Sequence, residues 1–350
     1  MFADIEADIY ILADGDDTYD ASAAPALAQV LVDQDLDVVS GKRIAVLIPC
    51  YNEEAAIGKV VRDFRSALPT AEIYVYDNNS KDRTIDEARA AEAVVRSEPR
   101  QGKGNVVRRM FADIEADIYI LVDGDDTYDA AAAPILVEVL IDQDLDVVSG
   151  RRVAVAEAAY RAGHVLGNRL LTGLTASMFR VKLADLLTGY RVMSRRFVKS
   201  FPLTAEGFGI ETELTVHAVR LLMPMVEIDT RYKERPEGSV SKLNTWRDGF
   251  RILFTIVALV REERPLVFFT GLFAILALLS LLIGGPVIYE YAQTGLVPRL
   301  PSAILAAALM GIGFLALASG LILDTVTRGR WEAKRMAYLA IPGPQGLKLP

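Results

Sequence analysis

The sequence predicts an α/β chain: a doubly wound, mostly parallel sheet followed by a pair of transmembrane helices. Three observations carry this prediction. From Arg43 onward, short β-branched runs alternate with segments of helical period. Acidic and amide residues gather where three of those runs end. After Pro265, two long stretches carry no charge.

RIAVLIPCYN is the first buried strand, and EEAAIGKVVRDFRSAL repeats apolar residues at helical spacing after it. AEIYVYDNN is a second strand, SKDRTIDEARAAE a helix, and AVVRSE a short third strand. A further helix opens at GKGNVVRRMF, and IYILVDGDD and LDVVSGRRV are the next two strands. Pro49, Tyr51, Asn52 and Glu53 end the first strand, Asp77, Asn78 and Asn79 the second, and Asp123, Asp125 and Asp126 the fourth. Open sheets bind ligands at the carboxyl ends of their strands, where loops and helix amino termini supply donors. Three polar strand ends therefore predict one shared crevice.

Composition narrows the class. At 350 residues, with 52% hydrophobic and 24% charged side chains, the chain can bury one catalytic core and still have apolar sequence left for a membrane appendage. A net charge of -8 argues against nucleic-acid partners, which need clustered Lys and Arg. The single cysteine, Cys50, excludes an intramolecular disulfide, and its apolar neighbours predict a buried, unreactive thiol. The acidic start lacks the basic-then-apolar pattern of a secretory signal, so the catalytic part is expected in the cytoplasm.

Residues 1–43 nearly repeat residues 110–152: MFADIEADIYILADGDDTYD returns as MFADIEADIYILVDGDDTYD. Only the second copy is preceded by the strands and helices that would flank it in a parallel sheet. The second copy is therefore expected to be the working one, with Asp14, Asp16 and Asp17 as bystanders; the alternative is that the first copy takes the central slot.

Asp123-Gly124-Asp125 at a strand end offers hard oxygen ligands suited to Mg²⁺ or Mn²⁺ carrying a diphosphate, with the glycine allowing a tight turn. Taken together and in order, IPCYNEE, YDNNSKDRT, QGKGN, LVDGDD, LTGYRVMSRRF and ERPEGSVSKL resemble the family 2 glycosyltransferases. Within them the chain looks most like the dolichyl-phosphate mannose synthase branch and its bacterial polyprenyl-phosphate relatives. The resemblance covers roughly residues 43 to 245. It implies a GT-A (nucleotide-diphospho-sugar transferase) fold and an inverting reaction without a covalent enzyme intermediate.

Carried over by position, the resemblance implies that Pro49, Tyr51, Glu53 and Asp77 hold the donor nucleotide, with Lys103 of QGKGN in the same set. It gives Asp123 and Asp125 to the metal, and Arg151 to a phosphate. Two positions depart from the pattern. Thr127 stands where a glutamine can complete the metal shell, and His164 and Val165 lie near the place of a second arginine, for which Arg161 or His164 are candidate substitutes.

Arg191 in TGYR, together with Arg235, Ser241 and Lys242, are polar or basic groups suited to closing over a diphosphate. His217 reads as a structural helix residue. An acceptor phosphate is already anionic and needs no strong general base. An acceptor hydroxyl would need one, and Glu211 or Glu213 in GFGIETEL are the candidates; exposed carboxylates of a helix first turn are the alternative reading.

Pro265 to Tyr289 and Leu300 to Leu323 each suffice to span a bilayer. Arg247, Arg251, Arg261 and Arg264 precede the first span, and Arg328, Arg330, Lys334 and Arg335 follow the second. Both flanks are therefore expected on the cytoplasmic side of an integral membrane protein. Trp246, Phe250, Leu253, Ile256 and Val257 predict an amphipathic interfacial helix.

The expected divisions are 1–43 as a non-catalytic duplicated appendage, 44–243 as the catalytic domain and 244–264 as the interfacial helix. The two spans occupy 265–325 and a cytoplasmic tail 326–350. The functional expectation is metal-dependent, inverting transfer of a hexose from a UDP- or GDP-sugar to undecaprenyl or dolichyl phosphate at the bilayer surface; a homo-oligomer is left open. The alternatives are transfer to a hydroxyl in glycolipid or polysaccharide synthesis, and a catalytically silent nucleotide-binding scaffold.

Overall fold

A computed structural model describes residues 42–154, 184–202, 209–233 and 257–344, together with 24, 25 and 173. The elements follow in chain order as β1 Ile44–Cys50, α1 Ile57–Ala67, β2 Glu72–Asp77, α2 Thr84–Ala90, β3 Val94–Ser97, α3 Lys103–Asp113 and β4 Ile118–Leu121. After a 3₁₀ turn come α4 Ala133–Asp142, β5 Val147–Ala154, β6 Arg191–Ser194, α5 Arg195–Ser200, α6 Ile210–Arg220 and β7 Met225–Tyr232. Two long helices, α7 Pro265–Thr294 and α8 Leu300–Leu339, complete the described chain.

The strands form one seven-stranded sheet in the order β3-β2-β1-β4-β6-β5-β7. β1 pairs in parallel with β2 and β4, while β6 runs antiparallel to both β4 and β5. The predicted strands are present. The sequence reading did not foresee β6, which is inserted between β4 and β5, or β7 at the edge.

Alternation along β1 sends its side chains into two cores. Val46, Ile48 and Cys50 join Ile57, Val60, Val61 and Phe64 of α1 on one face. Ala45 and Leu47 join Val106, Val107, Met110 and Phe111 of α3 on the other. The i, i+3, i+4, i+7 spacing of the α1 residues is what makes that segment a helix lying on the sheet. Each such fully buried side chain contributes about 1.5–3 kcal/mol.

β4 stops early, and that opens the crevice. Its pairing with β1 ends at Leu47↔Leu121, whereas β1 continues along β2 to Cys50↔Asp77. Pro49 lies in this overhang, where the β4 ladder has ended and a missing N–H is tolerated. The second copy of the duplicated sequence supplies β4, α4 and β5; the first copy lies outside the described residues apart from 24, 25, 42 and 43.

α7 and α8 are long and apolar enough to cross a bilayer, and they pack on each other. Gly313 and Gly320 of α8 lie against Phe273 and Phe269 of α7, and Ser280 Oγ donates to the Ala306 carbonyl at 2.7 Å. Their outer surfaces expose Leu278, Leu282, Ile304 and Leu315 rather than burying them as a soluble core helix would. The structure thus gives a GT-A-like mixed α/β sheet with a carboxyl-terminal pair of membrane-type helices, as the sequence predicts. Of the predicted interfacial helix, residues 257–263 are helical, with Leu259 buried; Trp246, Phe250, Leu253 and Ile256 lie outside the described residues.

α8 runs on past its apolar part into a charged segment that docks on the α/β unit. Trp331 and Tyr338 pack against the α3–α5–α6 core. Tyr338 donates to Asp146 Oδ2 at 2.8 Å, and the Arg220 guanidinium lies 4.8 Å from the Trp331 ring centroid.

Candidate active site

The floor of the crevice is the loop after β4. Gly124 is there because nothing larger fits: a Cβ would lie 2.6 Å from Cys50 Sγ and 3.3 Å from Ile48 Cγ2. Cys50 is buried, as predicted. Burial raises its thiol pKa well above the usual range, reinforced by the carboxylates of Glu53, Asp77, Asp123 and Asp125, so the sulfur stays protonated.

Asp125 is 4% exposed, and its Oδ1 accepts from Thr127 Oγ1 at 2.6 Å and from Thr127 N at 3.3 Å. Thr127, which departs from the family pattern, is thus a buried residue that orients Asp125. Asp126 has a φ of 55° and its Oδ1 accepts from Lys59 Nζ of α1 at 3.0 Å.

Asp123 meets residues from distant parts of the chain. On one side is Gly189, where a Cβ would overlap the Asp123 carboxylate. On the other, Lys103 Nζ lies 2.5 Å from Asp123 Oδ1 and 2.6 Å from Glu211 Oε1. Burial alone would lower the Lys103 pKa, but Asp123 and Glu211 outweigh it and push the ammonium well up, so it is charged.

The loop carrying Lys103 is fixed by Asn78, which is buried at the end of β2. Asn78 Nδ2 donates to the Glu98 and Arg100 carbonyls at 2.8 Å each, and Oδ1 accepts from Gly102 N at 2.6 Å. Gly102 has a φ of 129°, a conformation that favours glycine. Asp77 beside it accepts from Ser80 N at 3.1 Å, and Glu53 N donates to Thr84 Oγ1 at 2.8 Å. These bonds knit the ends of β1 and β2 into one wall. Pro49 is buried in that wall, and Tyr51 and Glu53 stand partly exposed along it.

The structure therefore brings Lys103, Asp123 and Glu211 together, and it sets Asp77, Asp125 and Glu53 near enough to Cys50 that all three raise its thiol pKa. The other sequence candidates have different surroundings. Glu213 is buried and pairs with Arg108, so neither carboxylate of GFGIETEL is a free first-turn acid. Arg151 forms a bidentate pair with Asp229, its register partner on β7, and is about half exposed there.

Arg191, expected from the sequence as a cation closing over a ligand, is 1% exposed. Its Nη2 donates to Leu186 O at 2.8 Å, Glu211 O at 3.1 Å and Thr215 Oγ1 at 2.7 Å, tying the segment before β6 to α6. Arg191 Nη1 is buried without a hydrogen-bond partner among the described residues. Arg235, Ser241 and Lys242, like Arg161 and His164, lie outside the described residues. The chain reaches residue 233 beside the site, where Lys233 N donates to the Thr127 carbonyl at 2.8 Å.

Sequence reasoning missed the positioning roles of Asn78 and Thr127 and the backing of Asp123 by Gly189. The signal for Asn78 was present in the run of amides after β2; nothing local marks Gly189 as a neighbour of Asp123.

The donor set suits a hard divalent ion. Asp123 and Asp125 could supply carboxylate oxygens, with Lys103 against one oxygen of Asp123 and Gly189 close against the other. Among the described residues, no three His, Cys, Asp or Glu side chains converge into a cage. Mg²⁺ and Mn²⁺ sites that serve diphosphates commonly have this form, one or two carboxylates with the phosphates completing the shell.

The family described as Glycosyl transferase family 2 matches residues 45–201. Protein RfbJ of Shigella flexneri is 57% identical over 122 residues, 35% of this chain and 95% of that protein. A dolichyl-phosphate hexose transferase of Haloferax volcanii is 30% identical over 222 residues, 63% of this chain and 95% of that protein. The crystal structure of glucosyl-3-phosphoglycerate synthase from Mycobacterium tuberculosis with Mn²⁺, UDP and glucosyl-3-phosphoglycerate superposes with a TM-score of 0.51 at 24% identity. That match covers 63% of this chain and 79% of that one, and it shows a shared fold.

Proposed function

The chain belongs to glycosyl transferase family 2, and from that premise we propose that it moves a hexose from a UDP- or GDP-sugar to polyprenyl phosphate at a membrane surface. One observation carries the reading: β4 presents Asp123 and a Thr127-oriented Asp125 on the floor of a crevice walled by the ends of β1 and β2.

Asp123 and Asp125 would hold Mg²⁺ or Mn²⁺, which supplies positive charge to a departing nucleoside diphosphate. The mycobacterial structure with Mn²⁺ and UDP supports such an ion for this fold. Asp77, Glu53, Tyr51 and Pro49 line the wall where the nucleoside would lie, and Lys103 stands between that wall and Asp123.

Two features favour a phosphate acceptor over a hydroxyl. Glu211 and Glu213 are both engaged by cations, Lys103 and Arg108, so neither is free to take a proton. An anionic phosphate oxygen needs no base. α7 and α8, long and apolar enough to cross a bilayer, would hold the catalytic domain at its surface, where a polyprenyl tail would remain. The Haloferax relative, named for transfer to dolichyl phosphate, agrees with this acceptor class. The basic flanks of both spans favour a catalytic domain on the cytoplasmic face.

The test is a donor panel. Full-length protein in lipid nanodiscs, given UDP- and GDP-hexoses, is expected to release UDP or GDP only when both Mn²⁺ and polyprenyl phosphate are present. Release that requires a saccharide hydroxyl acceptor instead, and that disappears in Glu211→Gln, would establish the rival acceptor. A panel with no release from any donor would leave the scaffold reading.

A further inference from the structure

The ammonium of Lys103 occupies the approach to the very carboxylate that the proposed function gives to a metal ion. Its position is built, not incidental. Lys103 is the first residue of α3, held by the buried Asn78 through Gly102 N at 2.6 Å, on a backbone turn that favours glycine. From there Nζ bridges Asp123 Oδ1 at 2.5 Å and Glu211 Oε1 at 2.6 Å, while Gly189 closes on the other oxygen of Asp123. Glu211 is itself fixed, because its backbone carbonyl accepts from the buried Arg191.

A divalent ion binds a carboxylate oxygen at about 2.0–2.6 Å. An ammonium at hydrogen-bond distance from the same oxygen uses the same lone pairs and repels the ion. The two cations therefore exclude one another at Asp123 Oδ1.

We propose that Lys103 is the resident counter-cation of the Asp123 site: a metal-bound nucleoside diphosphate displaces it, and the freed ammonium, still tethered by Glu211, pairs with the incoming phosphates. No covalent bond changes in this exchange; one ion pair is traded for another. It makes the site poor at holding a bare ion and better at holding ion and diphosphate together, because only the diphosphate offers the displaced ammonium a new partner. The inference rests on the reading of Asp123 as a metal ligand.

The test measures Mn²⁺ binding by electron paramagnetic resonance on the full chain in detergent, first alone and then with UDP or GDP. In the native protein the nucleotide is expected to tighten Mn²⁺ binding. Lys103→Met is expected to bind Mn²⁺ alone about tenfold more tightly, the scale of one lost charge-assisted bond, and to lose most of the tightening by nucleotide. Glu211→Gln, which leaves the ammonium to Asp123 alone, is expected to bind Mn²⁺ alone no more tightly than the native protein. If Lys103→Met does not fold by circular dichroism, Lys103→Gln carries the same expectation.

Opposite effects on ion and nucleotide are not what a merely structural lysine would give. Unchanged or weaker Mn²⁺ binding in Lys103→Met, with binding lost in Asp123→Asn, would overturn the exchange and leave the metal reading standing. Native-like Mn²⁺ binding in Asp123→Asn would overturn both.

Discussion

The hydroxyl of Thr127 donates to Asp125 Oδ1 at 2.6 Å, inside a loop where both residues are almost fully buried. A hydrogen bond of this kind to a carboxylate contributes about 1.5–3 kcal/mol, so it holds the Asp125 side chain in place within the loop. Thr127→Val keeps the shape and removes the donor. It is expected to lower kcat/KM roughly ten- to a hundredfold, whereas Thr127→Ser is expected to stay near the native value. Steady-state nucleotide release checks both.

The tight approach of Gly124 to Cys50 gives a second-site test. Gly124→Ala forces a methyl group against Cys50 Sγ at 2.6 Å, and overpacking of this kind costs about 1–3 kcal/mol. Activity and melting temperature are both expected to fall. Adding Cys50→Ala removes the obstructing sulfur and is expected to recover part of the loss; an additive double variant would mean that the clash is not the cause.

His217 carries a pH prediction. Burial, aided by Lys334, depresses its pKa from 6.5 to about 3, and its Nε2 lies 3.1 Å from Ser200 Oγ. The native ring is thus neutral while the unfolded ring gains a proton below about 6.5. Stability is therefore expected to fall as pH drops from that value toward 3, with a limiting slope of about 1.4 kcal/mol per pH unit. Between pH 6.5 and 5, before most carboxylates titrate, the slope of melting temperature against pH is expected to flatten in His217→Leu.

Asp146 anchors the charged end of α8. It is 0% exposed and accepts from Ser194 Oγ at 2.6 Å, Arg196 Nε at 2.5 Å and Tyr338 OH at 2.8 Å. Asp146→Ala leaves Arg196 without its buried partner, and the expected loss is about 3–5 kcal/mol. Tyr338→Phe removes only the link to α8 and is expected to destabilise less. Denaturant unfolding of the two variants in detergent measures the difference.

Much of this molecule is legible in the sequence where the signal is local. β1 to β5 follow from short β-branched runs, the helices between them from apolar spacing, and the long apolar helix pair from two uncharged stretches. The Asp-Gly-Asp loop announces itself by residue type. What escapes is set by contacts distant in sequence. β6 is four residues long and begins with an arginine, so nothing in its composition says that it slips antiparallel between β4 and β5. That insertion buries Arg191, which looks in sequence like a surface cation. It also brings Gly189 against Asp123 and α6 beside α3, so that Lys103 meets a glutamate 108 positions away. The role of Thr127 was hidden differently: its departure from the family pattern suggested a missing ligand, and only geometry reveals a hydroxyl holding Asp125.

The measurement that tests the central claim most directly uses the two copies of the acidic loop. Full-length protein in nanodiscs, with polyprenyl phosphate, its best donor and Mn²⁺, is compared as the native chain, as Asp123→Ala with Asp125→Ala, and as Asp14→Ala with Asp16→Ala. Nucleotide release is expected to vanish in the first variant and under chelator, and to persist in the second. Full release with Asp123 and Asp125 removed, or undiminished release under chelator, would contradict the account.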